Sequence, residues 1–270
     1  MADITAKLVN DLRAKTGQGM MECKKALVES GGDMDKAIAY FRAKGVKTSL
    51  TERAAGEGRI IGAQSPDKKS ASLVEVNCNT DFTAKSEPVQ KVGAMAAAAL
   101  LKNIGGNVSE DTAVKAELTI VSQTTGENVL VGKTAALSNP AGVVGLYLYA
   151  ITGKIGVIMS FSGGVPSDDL IKQIGGHIAF ARPLGLNRDA VPADLVAKER
   201  AIAVQEAQAT GKPPAIAEKI AEGKLNSFFA ERALLDQAFF NVQVFTGTIA
   251  NFLKQNGVTL DKYVRLEVGQ

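Results

Sequence analysis

Apolar positions in the first fifty residues repeat at helical spacing. Ile4, Leu8 and Leu12 fall on one face of a helix that Gly17 and Gly19 bring to an end. A second helix is predicted at about 20–29, stopped by Gly31 and Gly32. Asp33 is a good N-cap for a third over 34–44, which buries Ile38 and either Phe41 or Tyr40 and ends at Gly45. Residues 1–47 are therefore expected to form a compact module. The polar, glycine-containing stretch 48–58 is its linker.

The period then changes. Residues 59–63 and 72–78 read as two strands joined through Ser65, Pro66 and Asp67. Helices follow at about 88–102, with Ser86 as N-cap, and at about 111–123, and a strand at 128–137 completes a small antiparallel sheet. Residues 143–150 and 154–161, rich in β-branched and aromatic side chains around a Thr-Gly turn, read as a hairpin. Ser167 begins a helix carrying Leu170, Ile171, Ile174 and Ile178, and Pro183 marks its end. Residues 194–210 and 214–230 are helical with a tight break at 211–214, and their alanines permit close antiparallel approach. A helix at 244–255 and a strand at 258–268, returning to the second sheet, close the chain. The expected class is α+β: a three-helix module, then a core of two small antiparallel sheets with packing helices. The core divides at 59–140 and 141–270, with a helical hairpin at 193–230 inserted in the second part.

One segment stands apart. Leu73, Val74 and Val76, with Glu75 and Asn77 between them, read as strand in rough alternation. The strand runs into Asn79, Thr80 and Asp81, residues that favour turns and helix starts, and Phe82 follows directly. Local physics leaves two readings of that ring. It folds into the core under an Asp N-cap, the commoner arrangement for a large aromatic, or it is presented to a partner beside a carboxylate.

Composition narrows the function classes. The 270 residues are 46% hydrophobic and 22% charged, an ordinary globular balance that allows two or three structural units. The 31 basic and 28 acidic residues are too balanced to argue for nucleic-acid binding by electrostatics. Cys23 and Cys78 have neither metal-site neighbours nor a C-x-x-C pattern and read as small buried hydrophobes rather than a disulfide. No signal core and no charge-free run approaching about 18 apolar residues is visible, so a cytoplasmic protein is expected.

Catalytic motifs are imitated but not met. The stretch Gly126 to Thr134 resembles a phosphate loop, yet five residues separate its glycines where four are needed, and Val129, Leu130 and Val131 read as strand. Gly17-Gln18-Gly19 lacks the third glycine and the preceding strand of a dinucleotide turn. His177, the only histidine, sits among isoleucines and reads as a packed residue. Neither a cofactor nor a metal is expected, and the chain reads as a binding protein rather than an enzyme.

Two ordered motifs add a resemblance. The string Thr16-Gly17-Gln18-Gly19-Met20-Met21-Glu22-Cys23-Lys24-Lys25-Ala26-Leu27 closely resembles the opening of the bacterial elongation factor Ts family, and residues 75–85 resemble its Thr-Asp-Phe signature. The likeness continues, with interruptions, to Arg265-Leu266-Glu267-Val268-Gly269. It implies an N-terminal module of ubiquitin-associated type, a protruding helical hairpin, and guanine-nucleotide exchange on elongation factor Tu during protein biosynthesis. It further implies that Asp81 and Phe82, with Asn79 and Thr80 holding the corner, intrude near the Mg²⁺ region of Tu. Arg13, Met20, Met21 and Lys24 would grip the Tu nucleotide domain, and Thr125, Gly126 and Tyr149 are further candidate contacts. Adjacent methionines cannot both face one core, so at least one of Met20 and Met21 is expected at the surface.

The chain also departs from the family pattern. It has Tyr147-Leu148-Tyr149 where Tyr-x-His is usual and Thr125-Gly126 where Ile-Gly is usual, and the C-terminal helix of some family members is not expected to contribute. Neither direct nucleic acid nor a membrane is expected as a partner beside Tu, and homo-oligomerisation is open but not indicated. The competing readings are an adaptor built on the three-helix module alone, which leaves Asn79 to Phe82 and the hairpin unexplained, and a small-molecule enzyme.

Overall fold

The computed structural model describes residues 4–16, 18–44, 54–211 and 213–270. Gly17, Gly45, most of the linker and Lys212 of the hairpin break lie outside them. Among the described residues, three helices come first: α1 (Ala6–Thr16), α2 (Met20–Glu29) and α3 (Met34–Ala43). Leu12, Cys23, Leu27, Ala37 and Phe41 form their core, with Ile4 and Leu8 partly buried against it. Phe41 takes the inner position and Tyr40 stands edge-on to it at 5.8 Å. Asp33 caps α3 as expected, its Oδ1 accepting from the backbone N–H groups of Asp35 and Lys36 at 3.0 Å each. Gly31 and Gly32 have φ of 64° and 85°, which lets the Gly32 N–H reach back to the Leu27 carbonyl at 2.8 Å and close α2.

Among the described residues, six strands form two antiparallel three-stranded sheets. The first runs β1 (Glu57–Gln64), β2 (Ser70–Cys78), β3 (Leu130–Ser138) in that order, and the second β4 (Val143–Leu148), β5 (Ile155–Ser162), β6 (Thr259–Glu267). The outer face of the first sheet is covered from α4 (Asp81–Lys85), α5 (Glu87–Lys102) and α6 (Thr112–Thr125). α7 (Asp168–Ala181) covers the second. α8 (Ala193–Ala209) and α9 (Pro214–Arg232) pair along buried Ala203, Ala207, Ala217 and Ala221, and α10 (Ile249–Gln255) returns to the second sheet.

The two sheets pack face to face. Ile60, Leu73, Val144 and Ile158 share one buried cluster, and Val74 and Val76, pointing the other way, join the helical layer. β2 and β5 are the middle strands and are buried on both faces, which is why the alternation in Leu73 to Asn77 is only partial. The close approach depends on small residues: a Cβ at Gly156 would lie 2.6 Å from Ile60 Cγ2 and 2.8 Å from Leu73 Cδ2.

Several boundaries differ from the sequence expectation. β1 begins at Glu57, inside the expected linker. β3 begins at Leu130 because the Asn128 N–H is taken by Asn79 Oδ1 at 2.8 Å, and β4 stops at Leu148 where the Gly153 turn begins. Ser86 stands at the N-cap position of α5, but its hydroxyl donates to the Thr83 carbonyl at 2.7 Å. The helix expected from 244 starts at Ile249: Val244 and Phe245 have helical spacing, but Gly247 at φ 148° breaks it and Thr248 caps the true start.

Candidate functional site

The strand-to-helix corner after β2 is built by hydrogen bonds that cross the chain. Thr80 is extended and caps α4, its Oγ1 accepting from the Thr83 N–H at 3.3 Å. α4 is five residues long, with Ala84 buried and Phe82, two positions earlier, on the opposite side. Phe82 is 82% exposed, so the ring stands outside the core and is not folded under the cap. Asp81 stands beside it, partly exposed and paired with Lys85 Nζ at 2.8 Å. The Lys85 hydrogen bond and charge hold the Asp81 carboxyl below the ordinary aspartate value, so it is a carboxylate at neutral pH.

Asn79 is partly buried and Thr80 exposed, and both are tied to distant parts of the chain. Asn79 uses both ends of its amide, Nδ2 donating to the Ala54 carbonyl at 2.6 Å and Oδ1 accepting from the Asn128 N–H. The backbone N–H groups of Asn79 and Thr80 both donate to Glu127 Oε2, at 2.9 and 3.0 Å. Glu127 Oε1 accepts from the hydroxyls of Thr80 and Thr83, at 2.7 and 2.8 Å. Burial alone would raise the Glu127 pKa, but these four donors outweigh it and bring it below the ordinary glutamate value. Gly126 makes the reach possible: at φ 69° it ends α6 in the left-handed region and turns the next residue toward the corner. Thr125 supports the turn, its Oγ1 donating to the Val121 carbonyl at 2.8 Å.

Glu127 is the site residue that reading the sequence passed over. Its only signal is a carboxylate just after a helix-ending glycine, and nothing local says that the N–H groups it meets lie 47 and 48 residues away. Thr125 and Gly126 join the corner through it. Tyr149 does not belong to this cluster: it sits on the turn after β4, half-buried, with its ring edge-on to Phe180 at 4.9 Å. Arg13 lies in the last turn of α1, and Met20, Met21 and Lys24 lie in the first turns of α2, all exposed. Both methionines are at the surface, where one was required.

Among the described residues, no His, Cys, Asp and Glu group is arranged to hold a metal ion, and no helix is long and apolar enough to cross a membrane. Cys23 and Cys78 are buried free thiols, and His177 is buried against Phe239, as the sequence suggested. The stretch that imitates a phosphate loop is strand β3 from Leu130 onward.

Fold and corner thus define an α+β protein whose candidate site is a presented surface. Comparison with known proteins gives the family. A family model described as Elongation factor TS matches residues 79–270. The chain is 39% identical to Elongation factor Ts of Methylococcus capsulatus over 277 residues, covering 99% of this chain and 92% of that protein. It is 39% identical to Elongation factor Ts of Neisseria meningitidis over 272 residues (100% and 93%) and 37% identical to that of Sodalis glossinidius over 276 residues (100% and 93%). The chain belongs to the elongation factor Ts family.

Proposed function

We propose that this protein is the guanine-nucleotide exchange factor of elongation factor Tu: it binds GDP-bound Tu, distorts the Mg²⁺ and phosphate site, and promotes GDP release so that GTP can reload. The observation that carries the reading is Phe82, exposed beside an ionised Asp81 on a corner braced from within. An exchange factor breaks no bond of its own. It binds better to a Tu conformation in which nucleotide is held poorly, and by linkage GDP weakens its binding by the same ratio. Phe82 acts as an apolar wedge between Tu helices, and Asp81 redirects polar contacts around the partner's metal. Burying one Phe side chain contributes about 1.5–3 kcal/mol, enough for about a 10- to 100-fold shift between two conformations.

The exposed face of Arg13, Met20, Met21 and Lys24 supplies the grip on the nucleotide domain, and Met suits it because its side chain adapts to the surface it meets. Thr125, Gly126 and Tyr149 are secondary contacts. In this reading residues 1–47 are the Tu-binding module, 48–58 the linker, 59–140 and 141–270 the two halves of the core with the hairpin 193–230, and the protein works in the cytoplasm without touching nucleic acid or membrane.

Release of a fluorescent GDP from Tu tests the reading. Wild-type protein accelerates it, and Asp81→Ala with Phe82→Ala slows the accelerated rate about 10- to 100-fold while complex formation persists. No acceleration by wild type would sink the reading. Equal acceleration by both proteins would keep exchange and move its trigger to the helical module and the rest of the core.

A further inference from the structure

We propose that Glu127 is a positioning residue for exchange: its carboxylate holds the corner in the geometry that presents Asp81 and Phe82. The inference rests on the reading of Phe82 and Asp81 as the wedge. Three observations carry it. First, α4 is too short to hold itself, since a single isolated turn fixes more backbone freedom than its hydrogen bonds return, and of its five residues only Ala84 is buried. The direction of Phe82 is therefore set by what holds the corner before it.

Second, four donors converge on the two Glu127 oxygens, two on each. A carboxylate accepts all four without turning any donor round. An amide of the same shape could keep the two N–H groups on its oxygen by reversing both hydroxyls into acceptors, whereas an alanine removes the acceptor for all four. Third, the corner is tied from independent directions. Glu127 holds it from the end of α6, Asn79 binds Asn128 beyond Glu127, and Asn79 also binds Ala54 on the linker side of β1. A displacement of Glu127 therefore moves the contact to the linker and the wedge together.

The test uses the full chain with Glu127→Ala and reads two things. In the protein alone, hydrogen exchange of the Asn79 and Thr80 amides is expected to speed at least about tenfold, with the β2 amide of Val74 unchanged. Unchanged exchange at both corner amides overturns the proposal. With Tu, accelerated GDP release is expected to slow about tenfold, and the same substitution added to Asp81→Ala with Phe82→Ala is expected to change the residual rate less than about twofold. An undiminished slowdown in that background overturns it, because Glu127 would then act other than through the wedge. If wild type does not accelerate release, the exchange reading fails and the amide measurement still decides the clamp. Should Glu127→Ala not fold, Thr83→Val removes only one Oε1 donor and is expected to speed the same two amides; no change there overturns the proposal.

Discussion

Glu75 and Gly269 are 194 residues apart in the chain, yet the Gly269 N–H donates to Glu75 Oε1 at 3.1 Å. Glu75 is 3% exposed, and its Oε2 accepts the Lys133 N–H at 3.2 Å. One carboxylate on the middle strand of the first sheet thus satisfies backbone from β3 and from the segment after β6, where the two sheets meet. Glu75→Gln is expected to leave one of those N–H groups facing an NH₂ and to lower stability by about 1–3 kcal/mol. Urea denaturation reads it as a lower midpoint at constant slope, and an unchanged midpoint would show that the bridge contributes nothing.

Two glycines in helices predict opposite signs for one substitution. A Cβ on Gly175 of α7 would lie 2.4 Å from Tyr147 Cβ, an atom that cannot swing away, so Gly175→Ala forces helix and sheet apart at a cost of about 1–3 kcal/mol. Gly223 of α9 has nothing within 4 Å, so Gly223→Ala gains helix propensity and stabilises by about 0.5–1 kcal/mol. Thermal melts of the two variants should move in opposite directions.

His177 links pH to stability. Its Nε2 lies 2.9 Å from Gln237 Oε1, and Gln237 Nε2 donates to the Glu231 carbonyl at 2.6 Å, which fixes the amide and makes Nε2 the proton donor. Nδ1 is buried and has no hydrogen-bond partner among the described residues. Burial lowers the His177 pKa, against a smaller opposing effect of Gln237. The unfolded chain therefore takes up the proton first as pH falls below about 6.5, and the folded state loses stability until the folded pKa is reached. Melting temperature should drop between pH 7 and 5, and His177→Gln should flatten that slope. An equally steep slope in the variant would place the dependence elsewhere.

Cys78 should be slow to alkylate. Burial first, then the Glu127 carboxylate, push its thiol up to about 11, and it donates to the Thr80 carbonyl at 3.1 Å. At pH 8 native protein should resist iodoacetamide at Cys78 and denatured protein should not, as peptide mass spectrometry would show. Rapid native labelling would mean that the corner opens far more often than its hydrogen bonds imply.

The elements themselves were legible because their signals are local. Ile4, Leu8 and Leu12 repeat at helical spacing, Asp33 and Ser167 cap where caps were expected, and the β-branched runs became strands. The start of α10 was misread because Val244 and Phe245 continue a helical period through Gly247, and that period is satisfied by packing of Phe245 on Phe252 from a loop. The corner was half legible: Asn79 to Phe82 announced a turn, while the direction of the Phe82 ring was open to two readings.

By itself the sequence determined most of the helices and strands, the α+β class, the family motifs and Asn79 to Phe82 of the corner. Only the tertiary structure decided that Phe82 points outward, that Glu127 clamps the corner, and that Glu75 bridges the sheets at their interface. Periodicity and capping act over a few residues and are written in neighbouring letters. A carboxylate's partners, and the side on which a ring stands, depend on which distant backbone groups folding brings within hydrogen-bond reach.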